Sequence, residues 1–335
     1  MSPLKRPLIT DDGQKVLAHC PVIISASRAT DIPAYYADWF MYRLEKGYVR
    51  WINLYNLHQP YYVSFEDTRA IVFWSKNPRP LLSHLEHLDR MGLVYYFQIT
   101  LTDYEKEGLE PNLPPLDERI ATFIRLSHLI GKHRVVWRFD PVLLTPHLDM
   151  QTIISRIWNI GERIAPYTRK FVFSFVDLSY AKVKTQASIW QFRAPTSAEK
   201  TEFIENILHM SKRYGLLLAS CADEASYHPD IVHNSCIDGE LLRQIGQHDP
   251  VLIRYLDTHK GKDPGQRPAC RCIMSKDIGQ YNTCLHGCVY CYATDHEKAQ
   301  IQAKKHMHNP CADTICGDAV IQEKKPEKFF QSYLE

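Results

Sequence analysis

The fold is indicated most clearly by the stretch Ala70-Ile71-Val72-Phe73-Trp74-Ser75-Lys76-Asn77-Pro78. Its first five residues are apolar and rich in β-branched and aromatic side chains, which predicts a buried strand. Asn77 followed by Pro78 is typical of a helix start, and the following residues predict a helix that runs to about Met91. A strand that passes directly into a helix is the repeating unit of a parallel α/β sheet.

The same alternation continues on both sides of this stretch. Further strands are predicted over residues 21–25, 94–101, 134–141, 170–176 and 216–220. Helices are predicted over residues 33–47, 116–130, 149–165 and 196–214, the last of which begins with a capping box. About six or seven such units predict an α/β protein with a partial or complete parallel β/α barrel. An open doubly wound parallel sheet is the alternative, because these patterns do not show whether a sheet closes.

The strand–helix alternation stops near Cys221, and the composition changes there. Nine of the ten cysteines lie between Cys221 and Cys316. Residues 255–283 are rich in Gly, Pro, Asp and Lys, which predicts irregular structure. We therefore expect three parts: a β/α barrel core over residues 15–225, a cysteine-rich segment over 226–300 packed on the barrel mouth, and a polar C-terminal tail over 301–335.

The overall charge and hydropathy give no sign of a membrane or nucleic-acid protein. The formal net charge is +2, from 40 basic and 38 acidic residues, so no strong field attracts polyanions. No apolar run has the length of a membrane span, and the first residues lack the apolar stretch of a secretory signal. We expect a cytoplasmic protein with no membrane partner, in which cysteines are thiols or metal ligands rather than disulfides.

Three cysteines with the spacing C-x3-C-x2-C stand close together in Cys284-Leu285-His286-Gly287-Cys288-Val289-Tyr290-Cys291. A structural zinc site uses four ligands in a closed shell. Three thiolates on a [4Fe-4S] cluster instead leave one iron free for a small molecule. The spacing therefore favours an iron–sulfur cluster held by Cys284, Cys288 and Cys291.

This motif resembles the cluster loop of the radical S-adenosylmethionine (radical SAM) enzymes, which has an aromatic residue at the position of Tyr290. The form Cys288-Val289-Tyr290-Cys291-Tyr292 is most similar to the spore photoproduct lyase-like branch. From Ser25-Ala26-Ser27-Arg28 to Ala293 the chain also resembles an uncharacterised family, a domain of unknown function, with this loop at its C-terminus. In most radical SAM proteins the loop follows the first barrel strand, whereas here it comes last, as in a permuted order. The Gly-Gly-Glu-type segment of many radical SAM proteins is absent.

The resemblance implies a reaction. The cluster would reductively cleave S-adenosylmethionine (SAM) to a 5′-deoxyadenosyl radical that abstracts hydrogen from an unknown substrate. It also implies a reductant such as flavodoxin or ferredoxin, and the lyase branch makes a nucleic-acid substrate conceivable, although the charge gives that little support. The alternative is a non-enzymatic zinc-binding β/α protein that binds a nucleotide or nucleic acid.

Polar residues at the predicted strand ends are candidates for binding the cofactor, because ligands of β/α folds bind at the carboxyl ends of the strands. Arg138 and Asp140 alternate with Trp137 and Phe139, so the two charged side chains point the same way. SAM carries a carboxylate, an ammonium and a sulfonium, which suits mixed charges. With Tyr290 of the loop, the candidates are Arg28, Lys76, Thr100, Arg138, Asp140 and Tyr290. The other interpretation is that these residues cap helices or pair with one another.

A second set of cysteines comes from three separate segments: Cys221, Cys236, Cys270 and Cys272. Four converging thiols would hold zinc or an auxiliary iron–sulfur cluster. The alternative is that Cys221 and Cys236 are packed core thiols.

Overall fold

The structure is a computed structural model, and it describes residues 4–52, 60–223 and 225–317. Residues 318–335 of the predicted tail lie outside the described residues. A small four-stranded sheet has the order β1-β2-β5-β4. Its strands are β1 (Lys5–Ile9), β2 (Lys15–His19), β4 (Tyr48–Trp51) and β5 (Tyr61–Ser64).

The main sheet has eight strands in the order β11-β10-β9-β8-β7-β6-β3-β12, and every neighbouring pair is parallel. Its strands are β3 (Ile23–Ala26), β6 (Ala70–Ser75), β7 (Val94–Thr100), β8 (Val135–Val142), β9 (Lys170–Phe175), β10 (Leu217–Ser220), β11 (Ile231–His233) and β12 (Lys276–Asp277). The predicted α/β class with a parallel sheet is confirmed. In the described part of the chain no pairing joins the edge strands β11 and β12, so the sheet is not closed into a complete barrel.

The described residues form ten α-helices and three short 3-10 helices. The α-helices are α1 (Ile32–Tyr35), α2 (Ala37–Lys46), α3 (Leu85–Arg90), α4 (Leu116–Ile130), α5 (Met150–Ile164), α6 (Ala181–Trp190), α7 (Ser197–Tyr214), α8 (Gly239–Ile245), α9 (Pro250–Thr258) and α10 (His296–His308). The 3-10 helices are Arg79–His84, Lys132–Arg134 and Ala165–Tyr167. None of the helices in these described ranges is long and apolar enough to cross a membrane.

Capping residues set several of the helix boundaries. The predicted capping box of α7 is present: the Thr196 hydroxyl accepts from the Glu199 amide, and the Glu199 carboxylate accepts from the Thr196 amide. The single helix predicted over residues 33–47 is in fact α1 and α2, because Tyr36 between them leaves the helical backbone with φ −133°.

Alternate residues of the central strands face two different hydrophobic cores, as the twofold repeat of a strand requires. Phe73, Phe97 and Trp137 belong to the larger core, which also contains apolar residues of α2, α4, α5 and α7. Val72 and Tyr96 belong to the smaller core, which contains Leu242 of α8 and residues of α9. Both faces of the sheet are therefore covered, and polar side chains gather where the strands end.

The C-terminal part of the chain returns to the start of the main sheet. β12 pairs with β3, and the Asp277 carboxylate accepts hydrogen bonds from the hydroxyls of Ser25 and Ser27, at 2.6 and 2.8 Å. Further along, the Ala312 carbonyl accepts from the Trp39 indole at 2.8 Å. These contacts place β12 beside β3, and Ala312 against α2, which follows β3.

Candidate functional site

The cysteine loop, residues 284–291, lies at the carboxyl ends of the main-sheet strands. Just before the loop, the Thr283 hydroxyl is 2.5 Å from that of Thr30, which follows β3. The Tyr36 hydroxyl donates to the Thr283 carbonyl at 2.6 Å. Inside the loop, the Val289 amide donates to the Leu109 carbonyl at 3.0 Å. The loop is thereby held by the segments that follow β3 and β7.

His286 anchors the middle of the cysteine loop. Its Nε2 is 2.6 Å from Asp31 Oδ2 and its Nδ1 is 2.9 Å from the Tyr35 hydroxyl, so both ring nitrogens are used. Asp31 also caps α1 by accepting from the Ala34 amide, and it accepts from the Lys76 amide at 2.7 Å. One buried carboxylate therefore joins the loop to the ends of β3 and β6.

A buried charged network contacts the other end of the loop. Lys76 Nζ donates to Glu110 Oε1 at 2.7 Å and to the Tyr290 hydroxyl at 3.1 Å, and that hydroxyl donates to Glu110. The Thr102 hydroxyl is 2.8 Å from each oxygen of Glu110. Burial alone would raise the pKa of Glu110, but attraction to the Lys76 and Arg119 cations outweighs burial and lowers it. The pair is therefore ionised in the folded protein.

The three loop thiols lie close enough to influence one another. Burial raises the pKa of Cys284 to about 12, and the nearby Asp31 and Cys291 add to this. Burial also raises the pKa of Cys288; the Lys76 ammonium opposes that effect, whereas Glu110, Cys291 and Cys284 reinforce it. A cation beside Cys288, with the other two thiols nearby, suits a group that binds them as thiolates.

The donor set fits an iron–sulfur cluster in its chemistry. Three thiols and no fourth cysteine in the loop match a cluster with one free iron. As they stand, however, no three His, Cys, Asp or Glu side chains within residues 4–52, 60–223 and 225–317 are arranged to hold a metal ion. A cube does not need three donors around one ion, because each of its thiolates binds a different iron.

Arg138 and Asp140 form an ion pair with each other. Asp140 also accepts from the Ser174 hydroxyl. The other guanidinium nitrogen of Arg138 is 2.7 Å from Gln98 Oε1 and 3.2 Å from Cys236 Sγ. Arg138 therefore directs its hydrogen bonds at protein groups.

The remaining predicted cofactor contacts lie near the same end of the sheet. Thr100 pairs with Arg138 across β7 and β8. The Arg28 guanidinium lies 5.9 Å from the centre of the Trp74 ring, and its Nη2 is buried with no hydrogen-bond partner among the described residues. Of the predicted cofactor-binding residues, Lys76 and Tyr290 are the two that contact each other at the cysteine loop.

The structure brings the four cysteines of the second set together. Cys221 Sγ is 3.3 Å from Cys236 Sγ. The Cys236 thiol also interacts with that of Cys272, which in turn interacts with that of Cys270. Cys221 and Cys236 contact each other rather than occupying separate pockets, and both pack against the smaller core.

Sequence reasoning missed Glu110 and His286, two central residues of the site. Glu110 lies beside a proline-rich stretch with no strand or helix pattern, and nothing in that stretch indicates a buried carboxylate. His286 lies inside the cysteine motif itself, so the motif was the signal that could have drawn attention to it.

The fold and site define an α/β protein with a thiol-bearing loop at the carboxyl ends of a parallel sheet. The chain belongs to the family described as "Domain of unknown function (DUF1848)", whose match covers residues 23–293. Comparisons with the curated proteins and with the solved structures found no match.

Proposed function

We propose that this protein is a radical SAM enzyme whose cluster is held by Cys284, Cys288 and Cys291. When bound there, a [4Fe-4S] cluster supplies the electron that cleaves SAM to methionine and a 5′-deoxyadenosyl radical, which takes hydrogen from a substrate. The resemblance names no substrate, and the reductant, such as flavodoxin or ferredoxin, rests on the resemblance alone.

The local order of elements around the loop carries the proposal. The loop follows β12, which lies parallel to β3 at the edge of the main sheet, and it is followed by α10. This strand–loop–helix order is the one that surrounds the cluster loop in most radical SAM proteins, where the strand is the first of the barrel. Here the same unit comes last in the chain but occupies the edge beside β3. The position supports a permuted radical SAM fold.

The winding of the sheet agrees with this interpretation. From β3 through β6, β7, β8, β9, β10 and β11, each strand of the main sheet lies beside the one before it. Such sequential winding is the order of a partial β/α barrel, in which ligands bind at the carboxyl edge. The cysteine loop lies at that edge.

The chain's own residues prepare the loop for an anionic cluster. The Lys76 ammonium is held in place by Glu110 and Tyr290 and lies beside Cys288, so it offsets part of the negative charge that three thiolates would bring. Tyr290 is 8% exposed, so its ring is buried on this side of the loop. Exclusion of water protects radical intermediates from side reactions.

Anaerobic reconstitution with iron and sulfide, followed by reduction in the presence of SAM, tests the proposal. We expect a brown protein that forms 5′-deoxyadenosine. The variant with Cys284, Cys288 and Cys291 all changed to Ala should lose this activity. Cys311→Ala is the matched control, because Cys311 is an exposed thiol and should be dispensable. Unchanged 5′-deoxyadenosine formation by the triple variant would refute the proposal.

The same preparation distinguishes the alternative function. A non-enzymatic zinc-binding protein would be colourless, would contain zinc without iron or sulfide, and would leave SAM intact. Binding of nucleotides and nucleic acids to that zinc protein would then be measured directly.

A further inference from the structure

We propose that Cys221, Cys236, Cys270 and Cys272 form a structural zinc site, separate from the cysteine loop. We call these residues the four-cysteine group. They come from the end of β10, the connection between β11 and α8, and the irregular segment after α9. Cys221 and Cys236 therefore precede α8 in the chain, whereas Cys270 and Cys272 follow α9.

The sulfur separation favours zinc over an iron–sulfur cube. Tetrahedral zinc with Zn–S bonds of about 2.3 Å places its thiolate sulfurs about 3.8 Å apart. In a cube each thiolate binds a different iron, so the sulfurs lie farther apart. Cys221 Sγ and Cys236 Sγ are only 3.3 Å apart, which is closer to the zinc geometry.

The four thiols form a row of neighbours that zinc would close into a shell. Cys221 Sγ contacts Cys236 Sγ, the Cys236 thiol interacts with that of Cys272, and the Cys272 thiol interacts with that of Cys270. No three such side chains in the described ranges already surround one ion. Binding therefore requires the two end thiols, Cys221 and Cys270, to turn towards the two in the middle.

Hydrogen-bond donors already point at the middle sulfurs. Cys236 Sγ lies 3.2 Å from Arg138 Nη1 and 3.3 Å from Asn234 Nδ2. The Ile237 amide is 3.3 Å from Cys272 Sγ. A neutral thiol is a weak acceptor, whereas metal-bound thiolates regularly receive N–H donors from the surrounding protein. Three such donors are more than a packed thiol pair needs.

The charges around the four-cysteine group also match the proposed site. Four thiolates and one Zn²⁺ carry a net charge of about −2, by the charges of the ligands and the ion. Arg138 is in contact with Cys236, and the buried Arg28 guanidinium interacts electrostatically with Cys272, Cys236 and Cys270. Two arginines therefore face the group, and one of them retains a buried Nη2 without a hydrogen-bond partner among the described residues.

A zinc ion here would stabilise a part of the chain with little regular structure. Between α9 and β12 the described chain forms only turns and an isolated bridge between Lys262 and Ile273. Metal binding supplies folding free energy where burial of apolar surface is limited. The bound segment leads directly into β12 and the cysteine loop, so zinc would fix the approach to the proposed active site.

Metal analysis of the full chain with Cys284, Cys288 and Cys291 changed to Ala tests the site without contribution from the loop. We expect about one zinc per chain, as for a four-thiolate site. Replacement by Co²⁺ should give the visible absorption of a tetrahedral cobalt thiolate. Adding Cys221→Ser and Cys236→Ser to this background should abolish both signals, whereas Cys311→Ser should leave them unchanged.

A milder variant covers the case in which the double serine variant fails to fold. Cys270→Ser keeps three thiols, so it should retain its circular dichroism spectrum but release zinc to a chelator at least tenfold more readily. Absence of zinc and cobalt from the folded triple-alanine protein would overturn the proposal. So would iron and sulfide at that site, or a Cys221–Cys236 disulfide under reducing conditions. None of these readouts depends on SAM cleavage, so the result is independent of the proposed function.

Discussion

His286 Nε2 lies 2.6 Å from Asp31 Oδ2, and both side chains are buried. This contact joins residues that are 255 positions apart in the chain. It connects the cysteine loop to the turn after β3, which is the strand beside β12. The late position of the motif in the sequence is therefore compatible with a loop at the functional edge of the sheet.

Replacing His286 by Ala should destabilise the protein measurably. The change leaves the Asp31 carboxylate without one of its buried partners, which costs about 1–3 kcal/mol. Denaturant unfolding would measure this loss, and reconstituted iron content should fall with it. The control is His84→Ala, because His84 pairs with Asp38 at 2.7 Å on the surface, where Asp38 is 95% exposed. That pair should contribute less than about 1 kcal/mol. Equal losses for the two variants would show that the buried contact has no special role.

Replacing Lys76 by Met should be among the most damaging single changes. It leaves Glu110 as an unpaired charge in the interior, and breaking such a buried pair costs about 3–5 kcal/mol. The double variant Lys76→Met with Glu110→Gln removes both charges and should recover part of the stability. Urea unfolding of the wild type, the two single variants and the double variant gives the coupling free energy between Lys76 and Glu110.

The matched control for Lys76 is an exposed pair. Arg79 and Glu118 form an ion pair of the same 2.7 Å length, but both side chains are about half exposed (53% and 51%). Arg79→Met should change the free energy of unfolding by less than about 1 kcal/mol. If Lys76→Met proves as mild as this control, the buried pair is not ionised as we infer.

The main-sheet strands and the longest helices could be predicted because each has a clear local pattern. The predicted helix 116–130 is α4, and the predicted strand 94–101 differs from β7 by one residue. β12 could not be predicted: it has two residues, Lys276 and Asp277, and neither is apolar. It becomes a strand because β3 pairs with it and because Ser25 and Ser27 donate to Asp277. This is tertiary structure that no local pattern contains.

Other elements were missed for different physical reasons. The strands β1 and β2 belong to the small sheet. Their alternate residues are exposed, so their sequences contain no continuous run of buried apolar residues. The helices α8 and α9 lie in the segment where the alternation was expected to stop. Both are short, and their apolar residues become evident as a core only when they pack on the second face of the main sheet.

Acid should weaken the N-terminus of α7 in a defined pH range. Hydrogen bonding to Arg193 lowers the pKa of Glu199 from 4.5 to about 2, so the folded state favours the carboxylate. A lowered folded pKa stabilises the protein above the unfolded pKa, and this stability is lost as the pH falls from about 4.5 towards 2. Glu199→Gln should remove that part of the pH dependence, as measured by unfolding at pH values across this range. Thr196→Ala, which removes the other half of the capping box, should cost about 1 kcal/mol at neutral pH.

Replacing Gly287 by Ala tests whether the cysteine loop requires close backbone approach. Gly287 has φ +71°, and a Cβ there would lie 3.1 Å from Asn112 Nδ2 and 3.2 Å from Pro111 Cγ. Asn112 Nδ2 donates to the Leu285 carbonyl at 2.7 Å, so a displaced Asn112 would release the loop. Gly13→Ala is the matched control, because Gly13 has φ +81° with nothing within 4 Å of its added Cβ.

Both alanine variants should lose about 1–2 kcal/mol from the left-handed backbone conformation. Gly287→Ala should lose more than Gly13→Ala, because only Gly287 lacks space for the new methyl group. Reconstituted iron content should fall in Gly287→Ala and stay unchanged in Gly13→Ala. If the two variants lose equal stability and bind equal iron, the contact between the loop and Asn112 does not position the cysteines.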